Sequence, residues 1–235
     1  TGEIVTEDKY QQLISLRRAM EDKSISKRQT HYSMIGSSLC IVLLLTVFFL
    51  YLKTYRRKLL DKLRHVFFFF FFFDITISVV FFTILMGIII AVAAFVLRYA
   101  PTGFIYIVPF TWCPIIARVF YDSRTAIFVH LITTFIVSLA VPAPYLFILI
   151  QFIVGVIAVI SLRDMTQRAQ LAQTAAFILI SYSVLYTAIT MLMAGDISDI
   201  DYRYYIYFVI NAILVICSYG LIFLFERCFG LISNI

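Results

Sequence analysis

Long apolar runs alternate with short polar loops along the whole chain, and one run sets the scale for the rest. Residues 66–97 are thirty-two in number, open with seven consecutive phenylalanines (Phe67 to Phe73) and hold one ionisable side chain, Asp74. A helix needs about 20 apolar residues to cross a bilayer core, so this run crosses with residues to spare, and its length implies tilt or a projecting end. A split at Gly87 would leave two pieces of about 16 residues with no polar turn between them, too short to cross separately, so the pattern predicts one helix. Six further runs of crossing length or near it follow the same logic: about 33–52, 104–120, 125–141, 145–162, 171–193 and 204–225. The expected fold is all-α, a seven-helix polytopic membrane bundle.

Charge orients that bundle. The segment Lys53 to His65 is the densest basic stretch, and Lys- and Arg-rich short loops stay on the cytoplasmic side. With it inside, the turn at 121–124, the loop at 163–170 and the C-terminal end are inside too. Eleven Lys and Arg then face the cytoplasm, against Arg98 and Arg203 in the outer loops. The predicted topology is N-terminus outside and C-terminus inside. Basic residues in 1–32 run against the bias, which is expected if that stretch is the helical tail of a folded outer domain, because long domains cross regardless of charge. Residues 231–235 read as the start of a linker to a cytoplasmic domain. The chain begins at Thr1 rather than Met, as a piece of a longer protein would.

Composition excludes other classes. The chain has 235 residues, 63% hydrophobic and 14% charged, with a mean hydropathy of +0.99; soluble domains carry roughly 25% charged residues. The net charge of +6 lies largely in loops, so it orients the chain and does not indicate nucleic acid. The four cysteines lie in or at the ends of apolar runs without a CxxC pair, and read as small buried hydrophobes. No HExxH, GxSxG or intramembrane Asp pair is present, so no catalytic residue, cofactor or metal ligand is assigned to this chain.

The remaining candidates are polar residues inside apolar helices and prolines that interrupt them. Asp74 lies roughly 12 Å into its helix at 1.5 Å per residue; a charge at that depth marks function by default, or a structural pair with Arg118 or Arg124. Arg118 and Asp122 are four residues apart and would meet on one helix face, stapling the inner ends of the third and fourth helices together with Arg124. His130, Gln151 and Asn211 read as interhelical hydrogen-bonders or as ligand or proton sites. Tyr182, Tyr186, Ser181 and Ser183 give the sixth helix a polar side. Pro109 and Pro114 should kink or break the third helix, and the freed carbonyls must be satisfied inside the bundle. A broken helix can line a cavity, so Pro109, Gln151 and Asn211 outline the expected place for one. Gly87 and Ala91 would let another helix approach closely. The phenylalanine run cannot face one way, so part of it must meet lipid or a second protomer, and a homodimer contact is one expectation.

Three stretches, in order, carry a likeness to a known family. Gly2 to Thr6 with the Leu-containing helix after it is the first. Tyr106-Ile107-Val108-Pro109 followed by Asp122-Ser123-Arg124-Thr125-Ala126 is the second. Asn211 followed by Leu224-Phe225-Glu226-Arg227-Cys228-Phe229-Gly230 is the third. Together they resemble the membrane region of the seven-transmembrane HD-hydrolase family, the cyclic di-AMP phosphodiesterases of the PgpH type. The resemblance implies an extracellular sensor before the first helix and a cytoplasmic HD domain, with a divalent metal pair, after the last. It also implies a bacterial inner membrane location. The histidines here are His31, His65 and His130, with no His-Asp pair, so hydrolysis is not carried over to any residue. The expected role is transmission from sensor to phosphohydrolase, leaving through Glu226-Arg227. The expected partners are lipid and the protein's own outer and inner domains. The alternative is a bundle that is itself a transporter or small-molecule receptor.

Overall fold

The computed structural model describes residues 32–52, 54, 68–162, 169–194 and 200–229, with the backbone alone for 68–78, 169, 194, 228 and 229. The expectations placed on 1–31, on loop 53–67 beyond Thr54, on loop 163–168 and on 230–235 lie outside the described residues, as do the side chains of Asp74 and of the phenylalanine run. All regular structure among the described residues is helical. The helices are α1 (Tyr32–Leu52), α2 (Phe68–Tyr99), a 3-10 segment (Thr102–Ile107), α3 (Trp112–Phe120), α4 (Ser123–Ser138), α5 (Pro144–Ser161), α6 (Ala169–Ala194) and α7 (Arg203–Phe229). With the 3-10 segment and α3 taken as one crossing, six are long and apolar enough to span a bilayer, and α4 is the shorter seventh.

The contacts divide the chain into Thr1–Leu43 and Leu44–Ile235. In the first unit the described residues are helical and mostly exposed, and the Ser38 hydroxyl donates back to the Met34 carbonyl at 2.8 Å. The second unit holds the packed bundle. Its centre is α3, where Cys113, Ile115, Ile116, Ala117 and Val119 are fully buried and α2, α4, α5 and α7 pack around it. Near the start of α4, aromatic rings close the packing. Phe81 meets Phe120, Tyr121 and Phe225 at centroid distances of 5.5, 5.5 and 5.1 Å, and Phe82 meets Phe48 edge-on. The outer faces carry large exposed hydrophobics such as Phe95, Ile160, Leu192 and Ile206. A soluble protein would not leave so much apolar surface open, whereas lipid covers it at no cost.

Local chemistry explains the joints. α2 is continuous through Gly87. Asp122 caps α4: its carboxylate accepts from the Thr125 hydroxyl at 2.6 Å and the Thr125 backbone N–H at 3.4 Å, the usual way to satisfy a first-turn donor. This corrects the reading of Arg118 and Asp122 as neighbours on one helix face. α3 ends at Phe120, Tyr121 is extended at φ −133°, and Asp122 belongs to the next helix. The helix expected over 125–141 begins earlier for the same reason, and it ends at Ser138. Pro144 opens α5 at its first position, where no N–H is needed. The close-approach role expected of Gly87 and Ala91 is not met among the described residues: both are exposed, and a Cβ added at Gly87 would meet nothing within 4 Å.

Candidate functional site: the broken third crossing and the polar seam behind it

The third crossing is not one helix. Its first part is the 3-10 segment, and the chain restarts as α3 only at Trp112. Pro109 stands in the gap, and its missing N–H is one reason a helix cannot run through. Pro114 behaves otherwise than expected. It is the third residue of α3, inside the first turn, where backbone N–H groups have no helical partner to lose. It therefore marks a helix start and introduces no kink.

A gap at membrane depth leaves carbonyls that water cannot reach. The Asn211 side chain, on α7, supplies the donors. Its Nδ2 donates to the carbonyls of Tyr106 at 2.9 Å and Val108 at 3.0 Å, with that of Ile107 at 3.5 Å. Asn211 is fully buried and its Oδ1 has no hydrogen-bond partner among the described residues, so the residue serves here as a donor. A second tie from α3 to α7 lies one turn on, where the Trp112 indole N–H donates to the Leu214 carbonyl at 2.8 Å. The last helix thus holds the broken crossing on both sides of its gap.

Behind the gap runs a polar seam across α4, α5 and α6. His130 Nε2 lies 2.8 Å from the Gln151 carbonyl. The Tyr182 hydroxyl donates to Gln151 Oε1 at 2.7 Å. The His130 Nδ1 atom makes no hydrogen bond among the described residues, although the Phe110 carbonyl is close to the ring. His130, Gln151 and Tyr182 are 0–1% exposed. Tyr182 stacks on Phe208 of α7 at 5.2 Å, and Phe208 meets Tyr106 edge-on at 6.0 Å. The seam and the gap therefore join through Phe208. The three buried polar residues expected inside the helices are thus assigned hydrogen bonds.

An open cavity does exist, nearer the end of the bundle that carries 99–103, 139–143 and 200–203. It measures about 330 Å³ and lies between the 3-10 segment, the α4–α5 turn, α5, α6 and the start of α7. Tyr106, Tyr186 and Tyr204 form its aromatic side: Tyr186 stacks on Tyr204 at 4.7 Å, and Tyr204 meets Tyr106 at 5.7 Å. Gly103 lies close against these rings: a Cβ there would stand 3.2 Å from Tyr207 and 3.3 Å from Tyr204, so the rings would have to give by a few tenths of an ångström.

Of the charged candidates, Arg118 is half-buried in the last turn of α3, and Asp122 and Arg124 are exposed at the start of α4. Glu226 and Arg227 lie in the last turn of α7, half-buried and exposed in turn. Gly155 escaped the sequence reading. It lies against the His130 ring, and any Cβ at 155 would overlap Nε2 and Cδ2. A glycine four residues after a buried Gln, in an otherwise apolar helix, was the available signal. Tyr204 also went unremarked, although tyrosines crowd the start of α7 at 202, 204, 205 and 207. Among the described residues no group of three or more His, Cys, Asp or Glu could hold a metal.

A lipid-facing helical bundle with a proline-broken crossing clasped by its last helix defines a multi-pass membrane protein. The family model described as "7TM receptor with intracellular HD hydrolase" matches residues 31–233, and the chain belongs to that family. No curated protein and no solved structure matches it.

Proposed function

We propose that this chain is the signal-transmitting membrane domain that couples an extracellular sensor to a cytoplasmic HD-type phosphohydrolase, and that the hydrolase acts on cyclic di-AMP. The single observation carrying the coupling is the clasp of Asn211 on the Tyr106 and Val108 carbonyls. The interruption of regular helix in the third crossing is held by α7, whose last turn carries Glu226 and Arg227, the end at which a cytoplasmic domain would follow. In this reading the N-terminus is outside, the C-terminus is inside, and the membrane is the bacterial inner membrane. A displacement of the outer segments changes the Asn211 clasp, and α7 carries the change inward. Transmission of this kind requires two bundle states that the signal binds unequally. The metal pair that the resemblance implies would sit in the HD domain. The described residues offer it no ligand set, and no step in this chain runs through it.

The test is hydrolysis of cyclic di-AMP by the parent protein in membranes, with and without the segment upstream of Thr1. Hydrolysis that changes at least several-fold when that segment is removed is the expected result. Hydrolysis that ignores its removal would sink the transmitter reading.

A further inference from the structure

We propose that the cavity beside the gap is a binding site for an uncharged, ring-bearing amphiphile of about the size of a phenol or an indole. Its volume of about 330 Å³ lies at the small end of the range for small-molecule sites, roughly 300–1,000 Å³. Its chemistry narrows the class. Ile105, Leu146, Ile150 and Ile189 give it an apolar body, while Thr102, Thr190 and the tyrosines bring hydroxyl groups to its wall. That mixture suits a flat apolar ligand with one or two hydrogen-bonding groups. Among the described residues no Lys, Arg, Asp, Glu or His lines it, so a charged ligand would lose hydration without gaining a counter-charge from them. The aromatic side is preformed. Tyr186 is fixed by the stack on Tyr204, and its hydroxyl accepts from the Asp201 backbone N–H at 3.3 Å. Met193, at the end of α6, supplies an adaptable rim.

The position gives the site a consequence. Tyr106 lines the cavity with its side chain while its own carbonyl is held by Asn211. A ligand against that ring therefore acts on the same residue that the α7 clasp holds. The binding site itself stands on its lining alone. Only this consequence rests on the transmitter reading, and binding and hydrolysis fail separately.

The experiment uses the full chain in lipid nanodiscs and 4-fluorophenol as the probe, followed by 19F NMR with protein-free nanodiscs as the partition control. Saturable binding above that control is expected. Leu146→Trp, which fills the cavity from α5, should weaken it at least tenfold, and Thr190→Trp should do the same from α6. If one of the two fails to fold, the other reads the site. Phe152→Ala, in the apolar groove on the outer face of α4 and α5, should leave binding unchanged. A signal no greater than in protein-free nanodiscs overturns the proposal. So does binding that survives in whichever filled variant folds, or that falls in Phe152→Ala alone. Competition by choline as strong as by unlabelled phenol would overturn the assignment to an uncharged ligand.

Discussion

Asn211→Leu is expected to destabilise the bundle by about 2–4 kcal/mol, although it replaces a polar residue by an apolar one inside a membrane helix. The usual transfer argument predicts the opposite sign, since a buried amide is costly in an apolar medium. The bonding decides against it. The two amide hydrogens of Asn211 serve the carbonyls of Tyr106 and Val108, in a segment that can obtain no helical partner because Pro109 interrupts it. Removing them leaves the Tyr106 carbonyl unmet, while the Val108 carbonyl keeps the Phe110 backbone N–H at 2.9 Å and loses its second bond. The unmet acceptor costs about 1–3 kcal/mol and the lost second bond about 1 kcal/mol, and membrane double-mutant cycles argue for the lower half of the range. Asn211→Asp keeps the shape and replaces the donor by oxygens aimed at carbonyl oxygens, so it should be at least as harmful. The measurement is the unfolding midpoint in detergent, followed by fluorescence of Trp112, the chain's single tryptophan. Its indole is bound to α7, so a loosened clasp should appear as a red shift before the helices unfold. An Asn211→Leu protein as stable as the parent would mean that the clasp carries no free energy.

Gly155→Ala should cost about 2–4 kcal/mol, an unusually large effect for one methyl group. A Cβ at 155 would occupy the place of the His130 ring edge. The ring must then rotate away and give up its contact with the Gln151 carbonyl. Overpacking alone costs about 1–3 kcal/mol, and a lost buried hydrogen bond adds about 1 kcal/mol. The cause is identified by the double variant. With His130→Ala in the background the obstruction is gone, and Gly155→Ala should turn neutral or stabilise by up to about 1 kcal/mol, as Ala does over Gly in a helix. Unfolding midpoints of the four proteins in the cycle give the coupling. If Gly155→Ala costs as much without the imidazole as with it, the account of this packing fails.

What the sequence could and could not reveal follows from the range over which each force acts. Apolar run length and the placement of Lys and Arg are local properties, and they were enough for an all-α polytopic bundle. The gap near Pro109 was legible too, because a missing N–H is a property of the residue itself. Its partner was not. Asn211 lies more than 100 residues away, and nothing in either segment specifies the other until the fold brings them together. The same holds for Gly155 and His130, twenty-five positions apart. The misreading of Arg118 and Asp122 has a different origin. The i, i+4 rule presumes a continuous helix, and the Asp–Ser–Arg–Thr sequence that starts a new helix was already the better local signal, since Asp is a strong N-cap. The cavity was expected where Pro109, Gln151 and Asn211 meet. The open cavity lies between the 3-10 segment, the α4–α5 turn, α5, α6 and the start of α7, five segments distant in sequence, so no local pattern marks it.

In the proposed function α7 reads the broken crossing through Asn211. The direct measurement is cyclic di-AMP hydrolysis by the parent protein in membranes, taken as the ratio of rates with and without the segment upstream of Thr1. It is made in the unaltered protein, in Asn211→Leu, and in Ile213→Leu, a lipid-facing control on the same helix that is 56% exposed. The account predicts that the ratio falls towards one in Asn211→Leu, with the protein still folded, and stays unchanged in Ile213→Leu. A ratio that survives the loss of Asn211 would contradict it, and α7 would then be a tether between two domains and not a transmitter.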